Sequence, residues 1–316
     1  MVTAEKSRID CRHIDVLDGI RAVSVIIVLI FHFWQQTWIF PVIKTPWLAS
    51  VGITKIDFSN FATVGYLFVD MMVLISGFLL FLPLMRSIIL GEEMSSWKNY
   101  ARRRIARIVP SYYFAVLLLF FASALPTGAY ATTADALKDL FAHLTFTQTL
   151  WVNTYIATPL DVVLWTVAIE VWFYVLFPFV AEFIKGPRNK NRQSFTPAYG
   201  IFFIFAVFNI INYVYTENFV LKGNVYLAMR INQFPAFLGV YSIGMLGASA
   251  FVLIAKNCRR SRIFNAVNTL FSVCSILLII YLINDCVATQ ERQVWQVTER
   301  SKLAFVFMTF IITTAL

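Results

Sequence analysis

The amino-acid sequence predicts an all-α fold, a polytopic transmembrane helix bundle, and three observations predict it. Apolar residues make up 59% of the 316 positions and charged residues only 14%, against roughly 25% charged in an average soluble domain. Eight stretches of about 20 apolar residues, each enough to cross about 30 Å of hydrocarbon, are spread along the chain. Lys and Arg gather in alternate connections between them, the asymmetry that insertion imposes on short loops.

The first stretch covers about 19–40. A cleavable leader would place a shorter apolar core nearer the start and follow it with a small-x-small site. Here the run passes Trp34 and meets Pro41 and Lys44, so it is expected to stay as a membrane helix. Further stretches fall near 61–84, 108–126, 161–183, 198–216, 234–255 and 263–284, with a last one from 302 onward. That makes seven full spans and one cut short, about eight in this chain and ten or more expected in a complete protein. The segment 137–151 is different: Leu137, Leu140, Phe141, Leu144, Phe146 and Leu150 are interrupted by Lys138, Asp139, His143 and Gln148. That pattern suits an interfacial or re-entrant helix.

With the N-terminus inside, the inner segments hold Lys6, Arg8, Arg12, Arg21, Arg86, Lys98, Arg102, Arg103, Arg104, Arg107, Lys185, Arg188, Lys190, Arg192, Lys256, Arg259, Arg260 and Arg262. The outer segments hold Lys44, Lys55, Lys138, Lys222, Arg230, Arg292, Arg300 and Lys302, a division of eighteen to eight. Trp34, Trp38, Trp47 and Trp295 near the outer ends form an aromatic belt. The expected location is therefore integral to a plasma or inner membrane, in contact with lipid, with the N-terminus cytoplasmic. This distribution accounts for the net charge of +9 without a nucleic-acid partner. The cysteines Cys11, Cys258, Cys274 and Cys286 form no C-x-x-C pair. His13 and His143 are expected to be loop or interface residues, and no ligand spacing points to a metal. No repeat or linker divides the chain, so one membrane domain over 1–316 is expected, truncated at the C-terminus because Leu303–Leu316 ends without a polar flank.

Ionisable groups inside hydrocarbon are costly and mark functional positions by default. On helix 1, Arg21 and His32 are eleven residues apart, about 20° in direction at 100° per residue. Asp18 lies within about 40° of His32. A charge cluster that sets membrane orientation is the plainer reading of Asp18 and Arg21. Asp70 in the second stretch and Glu170 in the fourth each stand about ten residues from the outer boundary, roughly 14 Å in, with His32 roughly 10 Å in. Three ionisable groups at similar depth point to a joint polar site. A histidine with a carboxylate fixing its tautomer is general acid-base equipment. A proton-coupled carrier uses the same groups, so enzyme and transporter stay open at this point. On the approach to the third stretch, Arg103 and Arg107 are spaced i,i+4 and Arg104 and Arg107 i,i+3, so guanidinium groups gather on one helix face. They suit phosphate groups, and equally a positive-inside anchor or anionic headgroups.

Four segments carry a resemblance. They are Asp18-Gly19-Ile20-Arg21 through His32; Val69-Asp70 with Ser76-Gly77-Phe78-Leu79, where Met71 and Met72 stand among the usual aromatics; Arg104-Ile105-Ala106-Arg107-Ile108-Val109-Pro110-Ser111-Tyr112; and Leu164 to Tyr174, where Val171 and Trp172 replace a second Glu and a Gln. In this order and spacing, over about 15–250, the chain resembles the acyltransferase 3 family, multi-spanning membrane proteins that O-acylate sugars and other acceptors. Phe234 to Ala248 echoes a further family pattern with insertions; after 250 the match is hydropathic only.

The resemblance implies an acyl-CoA donor, with acetyl-CoA expected, approached from the cytoplasm, and a hydroxyl acceptor on a carbohydrate or glycolipid. It gives an essential role to His32 and to the Arg104–Arg107 pair. Arg104 and Arg107 are then expected to clamp the CoA phosphates, with Arg103 and Arg21 as further cations. His32 is expected to deprotonate the acceptor, with Asp70 or Glu170 holding the imidazole. The rival class is a proton-coupled transporter or flippase of a sugar-containing substrate, relaying protons through the same three groups.

Overall fold

The computed structural model describes residues 14–186, 197–222 and 226–316. Lys6, Arg8, Arg12, Arg188, Lys190 and Arg192 of the inner segments, with Cys11 and His13, lie outside the described residues. The helices are α1 (Asp15–Thr37), α2 (Ser59–Val64), α3 (Leu67–Leu90), α4 (Trp97–Leu119), α5 (Thr133–Leu144), α6 (Val152–Tyr155), α7 (Trp165–Lys185), α8 (Pro197–Tyr215), α9 (Leu227–Ile231), α10 (Phe234–Asn257), α11 (Arg262–Ala288) and α12 (Arg292–Ala315). Among the described residues, seven helices are long and apolar enough to cross a membrane: Asp15–Thr37, Leu67–Leu90, Trp97–Ala124, Trp165–Lys185, Pro197–Val220, Leu227–Asn257 and Arg262–Ala288. They coincide with the seven full stretches read from hydropathy. The eighth, cut-short stretch forms most of α12. The one sheet described is a hairpin, β1 (Val42–Lys44) antiparallel to β2 (Lys55–Asp57), with Ile43 opposite Ile56. The segment around 137–151 holds α5, whose 12 residues reach about 18 Å, too short to span.

Three helices begin away from their hydropathic edges, each for a local reason. The second stretch divides at Gly65 and Tyr66 into α2 and α3, where the Phe68 and Val69 N–H groups bond back three residues rather than four, and α1 passes so close that a Cβ on Gly65 would stand 2.7 Å from Phe31 Cβ. Helix α4 begins at Trp97, where the Ser96 hydroxyl caps it by accepting from the Asn99 N–H at 3.4 Å. Its arginine-rich turns are therefore helical. Helix α12 begins at Arg292, ahead of the apolar residues, since Gln296 and Arg300 on its first turns are buried.

The chain divides into two compact units, one formed by the residues up to Leu90 together with Val240–Leu316, the other by Gly91–Gly239. In the first unit α3 is the central element, with Leu67, Leu74, Ile75, Phe78, Phe81 and Leu84 wholly buried. The later part of α10 packs on it backbone to backbone: a Cβ on Gly244 would stand 2.5 Å from the Leu74 carbonyl oxygen, and one on Gly77 would stand 2.8 Å from that of Tyr241. Small residues permit such approach, the usual way helices associate where no hydrophobic effect drives them. Helix α11 turns Ile263, Leu270 and Leu277 outward, as a lipid-facing helix does.

In the second unit, Tyr112 and Val116 of α4 and Phe120 directly after it pack with Ala136 of α5, Phe146 and Ala168 of α7. Polar side chains pin the connections. The Tyr113 hydroxyl donates to the Leu144 carbonyl at 2.7 Å and the Trp172 indole N–H to that of Phe146 at 3.2 Å. The Asn212 amide donates to the Ala236 carbonyl at 2.7 Å. Each satisfies a backbone group that hydrocarbon would leave unbonded.

Candidate functional site

In the first unit α1 carries both Arg21 and His32. Arg21 is 3.4 Å from the Ser76 hydroxyl of α3, Ser24 is 3.3 Å from the Met71 sulfur, and the Phe31 ring meets Tyr66 edge-on at 5.3 Å. These contacts run α1 antiparallel to α3. The level of His32 therefore falls near Gly65, and Asp70 lies about 8 Å farther along the axis at 1.5 Å per residue. His32 is half-buried, and its Nδ1 is 3.1 Å from Gln35 Oε1. A carboxamide oxygen only accepts, so in this amide orientation Nδ1 carries the proton and Nε2 of the neutral ring holds the lone pair that a base uses.

Asp70 is completely buried, and its Oδ2 accepts from Arg300 Nε at 3.3 Å, while Gln296 bonds the same carboxylate. Its Oδ1 accepts no hydrogen bond. Arg300, assigned by charge counting to an outer segment, is instead a buried helix residue. The physical reason is that a buried carboxylate needs a counter-charge, and α12 supplies it. Hydropathy registers Arg300 as a loop charge, so neither it nor Gln296 was anticipated. Gln35 was missed too, although a polar residue one turn after His32 was its signal.

In the second unit the start of α4 is clamped along α7. The Trp97 indole donates to Glu182 Oε1 at 2.9 Å, and the Tyr100 hydroxyl donates to the Tyr174 carbonyl at 3.2 Å. Arg104 lies over two aromatic rings, its Cζ 5.0 Å from the Tyr174 centroid and 5.6 Å from that of Tyr100. Such faces hold a guanidinium in place without neutralising it. The Tyr174 hydroxyl donates to Glu170, one turn earlier on the same helix. Arg103 and Arg107 are exposed, Arg104 half-buried, and none of the three forms an ion pair among the described residues. This gives a row of cations on one helix, one of them oriented by stacking. Such a row binds phosphate or carboxylate groups. The sequence had placed the arginines on one face; the aromatic seat made by Tyr100 and Tyr174 was not expected.

Of the residues picked from sequence, Arg21, His32 and Asp70 thus belong to the first unit, and Arg103, Arg104, Arg107 and Glu170 to the second. Among the described residues there is no group of three or more His, Cys, Asp or Glu side chains that could hold a metal ion.

An all-α bundle with seven membrane-length helices, carrying an intramembrane histidine and an arginine row, defines an integral membrane protein with a polar site. A family model described as an acyltransferase domain, that of acyltransferase 3, matches residues 14–316, and the chain belongs to this family. The match runs through α11 and α12, past residue 250 where the recognisable motifs end. Relatives include the protein named O-acetyltransferase OatA from Staphylococcus aureus strains NCTC 8325, COL and MRSA252. Each is 28% identical over 201 residues, 58% of this chain and 28% of the relative. The aligned region is thus under a third of those proteins' length. No solved structure matches the chain.

Proposed function

We propose that the protein is an integral membrane O-acyltransferase that moves an acyl group, acetyl in the first instance, from cytoplasmic acyl-CoA to a hydroxyl of a carbohydrate or glycoconjugate. The observation that carries this reading is the row of Arg103, Arg104 and Arg107, which form no ion pair among the described residues, in a chain of the acyltransferase 3 family. A CoA donor brings phosphates that such a row binds, Arg104 first because stacking already orients it. Arg21 is a further candidate cation for the donor. The relatives named O-acetyltransferase support acetyl as the group transferred.

In the proposed reaction His32 Nε2 takes the proton of the acceptor hydroxyl as its oxygen attacks the thioester carbonyl. The C–S bond of the tetrahedral adduct then breaks, and the imidazolium returns the proton to the CoA thiolate. Gln35 holds the productive tautomer. Asp70 acts as a positioning residue through Arg300 and α12, and Glu170 as one that holds Tyr174 beneath Arg104. With the N-terminus cytoplasmic, α4 begins on the donor side.

Purified protein given radiolabelled acetyl-CoA and carbohydrate acceptors tests this directly. Wild type is expected to release CoA and label the acceptor. His32→Ala should lose about 10²-fold or more of the transfer rate, the share a general base supplies, while still binding CoA. Arg104→Ala should weaken CoA binding by about tenfold or more, the worth of a charge-assisted hydrogen bond. No acetyl-CoA consumption by wild type would sink the proposal, and unchanged transfer by His32→Ala would remove the base from it. Flux driven by a proton gradient, with no CoA released, would favour a carrier.

A further inference from the structure

In the first unit the connection from α1 to α2, residues 38–58, is folded and yet uncovered. Strands β1 and β2 flank a 3₁₀ turn, Pro46–Val51, and Gly52 at φ 83° turns the chain back. The backbone of this tip is satisfied from within. The Thr45 N–H donates to the Thr54 carbonyl at 2.9 Å and the Thr45 hydroxyl to that of Ile53 at 3.0 Å, while the Leu48, Gly52 and Ile53 N–H groups bond carbonyls inside the tip. Pro46 has no N–H to satisfy. From Thr45 to Thr54 there is no charged residue. The large side chains point away from the protein: Trp47 is 68% and Val51 67% exposed, and no residue of the turn is buried. Ile43 and Ile56 stand opposite each other on one face of the strands, both exposed. The other face carries Lys44 opposite Lys55, a pair that brackets the tip. Lys55 Nζ is 3.5 Å from Asp57 Oδ2, and Lys44 forms no hydrogen bond or ion pair among the described residues.

A two-stranded hairpin by itself is marginal in water, a contiguous exposed apolar surface marks an interaction site, and like charges directly opposite on a sheet repel. One surface answers all three. A phospholipid leaflet takes Trp47 and Val51 into its acyl boundary and sets phosphates against Lys44 and Lys55. Tryptophan favours that depth, and a backbone bonded from within is what entry towards hydrocarbon requires. The location agrees. The hairpin begins where the membrane-length helix α1 ends, and Val25, Leu29 and Phe33, exposed along one face of that helix, lead to the exposed Trp38 and Ile39. A glycan would meet few hydrogen-bonding side chains on the tip, Ser50 and Thr54 alone, since Thr45 is buried.

We propose that the β1–β2 hairpin is a phospholipid anchor, its Trp47–Val51 tip seated in the acyl boundary and its Lys44–Lys55 pair on lipid phosphate, in the leaflet that the Thr37 end of α1 reaches. The anchor fixes the depth of His32, which precedes Thr37 by about 8 Å along α1 at 1.5 Å per residue. It needs no CoA and is tested without it. The full chain, freed of its four cysteines, is placed in nanodiscs of phosphatidylcholine and phosphatidylglycerol with an NBD group on Val51→Cys. The label should be quenched by lipids carrying a nitroxide near the headgroup end of the acyl chain and protected from aqueous iodide. Lys44→Gln, a change at an exposed side chain, should raise the iodide quenching constant about fivefold, the worth of one basic residue at an anionic surface. A tip quenched by iodide and not by nitroxide lipid overturns the proposal. So does a tip shielded from both, which would place a second copy or another protein on it. Iodide quenching unchanged by Lys44→Gln overturns the assignment of the lysine pair to lipid phosphate.

Discussion

Arg300 and Asp70 show how a single residue can be misplaced by composition and placed by physics. The two are buried and 230 positions apart in sequence, so no local pattern links them. Breaking a buried ion pair from one side leaves a charge without solvent or partner, at a cost of about 3–5 kcal/mol. Arg300→Met is therefore expected to lower stability by about that amount, read as loss of the folded fraction in thermal unfolding in detergent. Pairing it with Asp70→Leu should recover most of the loss, since a buried pair replaced by apolar residues is often neutral. Arg300→Met with wild-type stability would show that Asp70 needs no partner. The legible part of the candidate site was of the opposite kind. His32, Asp70 and Glu170 stood out because each is an ionisable residue in an apolar run, and Arg103, Arg104 and Arg107 because they are close in sequence. The partners that orient them, Gln35, Arg300, Tyr100 and Tyr174, are ordinary residues whose roles exist only after helices pack.

Helices were legible wherever hydropathy alone decides. Seven membrane-length stretches became seven membrane-length helices, because about 20 apolar residues have one way to satisfy their backbone in lipid. The ends were not legible: α4 extends eleven residues ahead of its apolar run on the strength of a Ser96 cap, and α12 carries charged residues inward on its first turns. The β1–β2 hairpin, three residues a strand, is too short to show alternation. Packing between elements gives a sharp contrast among glycines. Gly244→Val would force a Cβ to 2.5 Å from the Leu74 oxygen and 2.9 Å from the Phe78 nitrogen, both backbone atoms of α3. A cost of about 1–3 kcal/mol or more is expected for such overpacking. Gly19→Ala on α1, where a Cβ meets nothing within 4 Å, should leave the unfolding temperature unchanged or raised, since Ala favours helix. Equal behaviour of the two variants would refute the close approach of α10 to α3.

At the scale of the whole molecule, the eighteen-to-eight bias of basic residues makes orientation measurable. In a chain freed of its four cysteines, Lys138→Cys should react with a membrane-impermeant maleimide in intact cells. Arg102→Cys should react only after permeabilisation. The reverse would turn the protein over and move the arginine row away from cytoplasmic CoA. The first compact unit is also discontinuous in the chain, its parts separated by Gly91–Gly239. During synthesis at about 5–20 residues per second, the 230 residues between Asp70 and Arg300 take roughly 10–50 s to emerge. For that interval α3 has entered the insertion machinery with its carboxylate but without the arginine, and without the α10 backbone that later covers it. Assembly of this pair thus waits for α12, and a ribosome stalled before α12 leaves α3 as a substrate for membrane quality control.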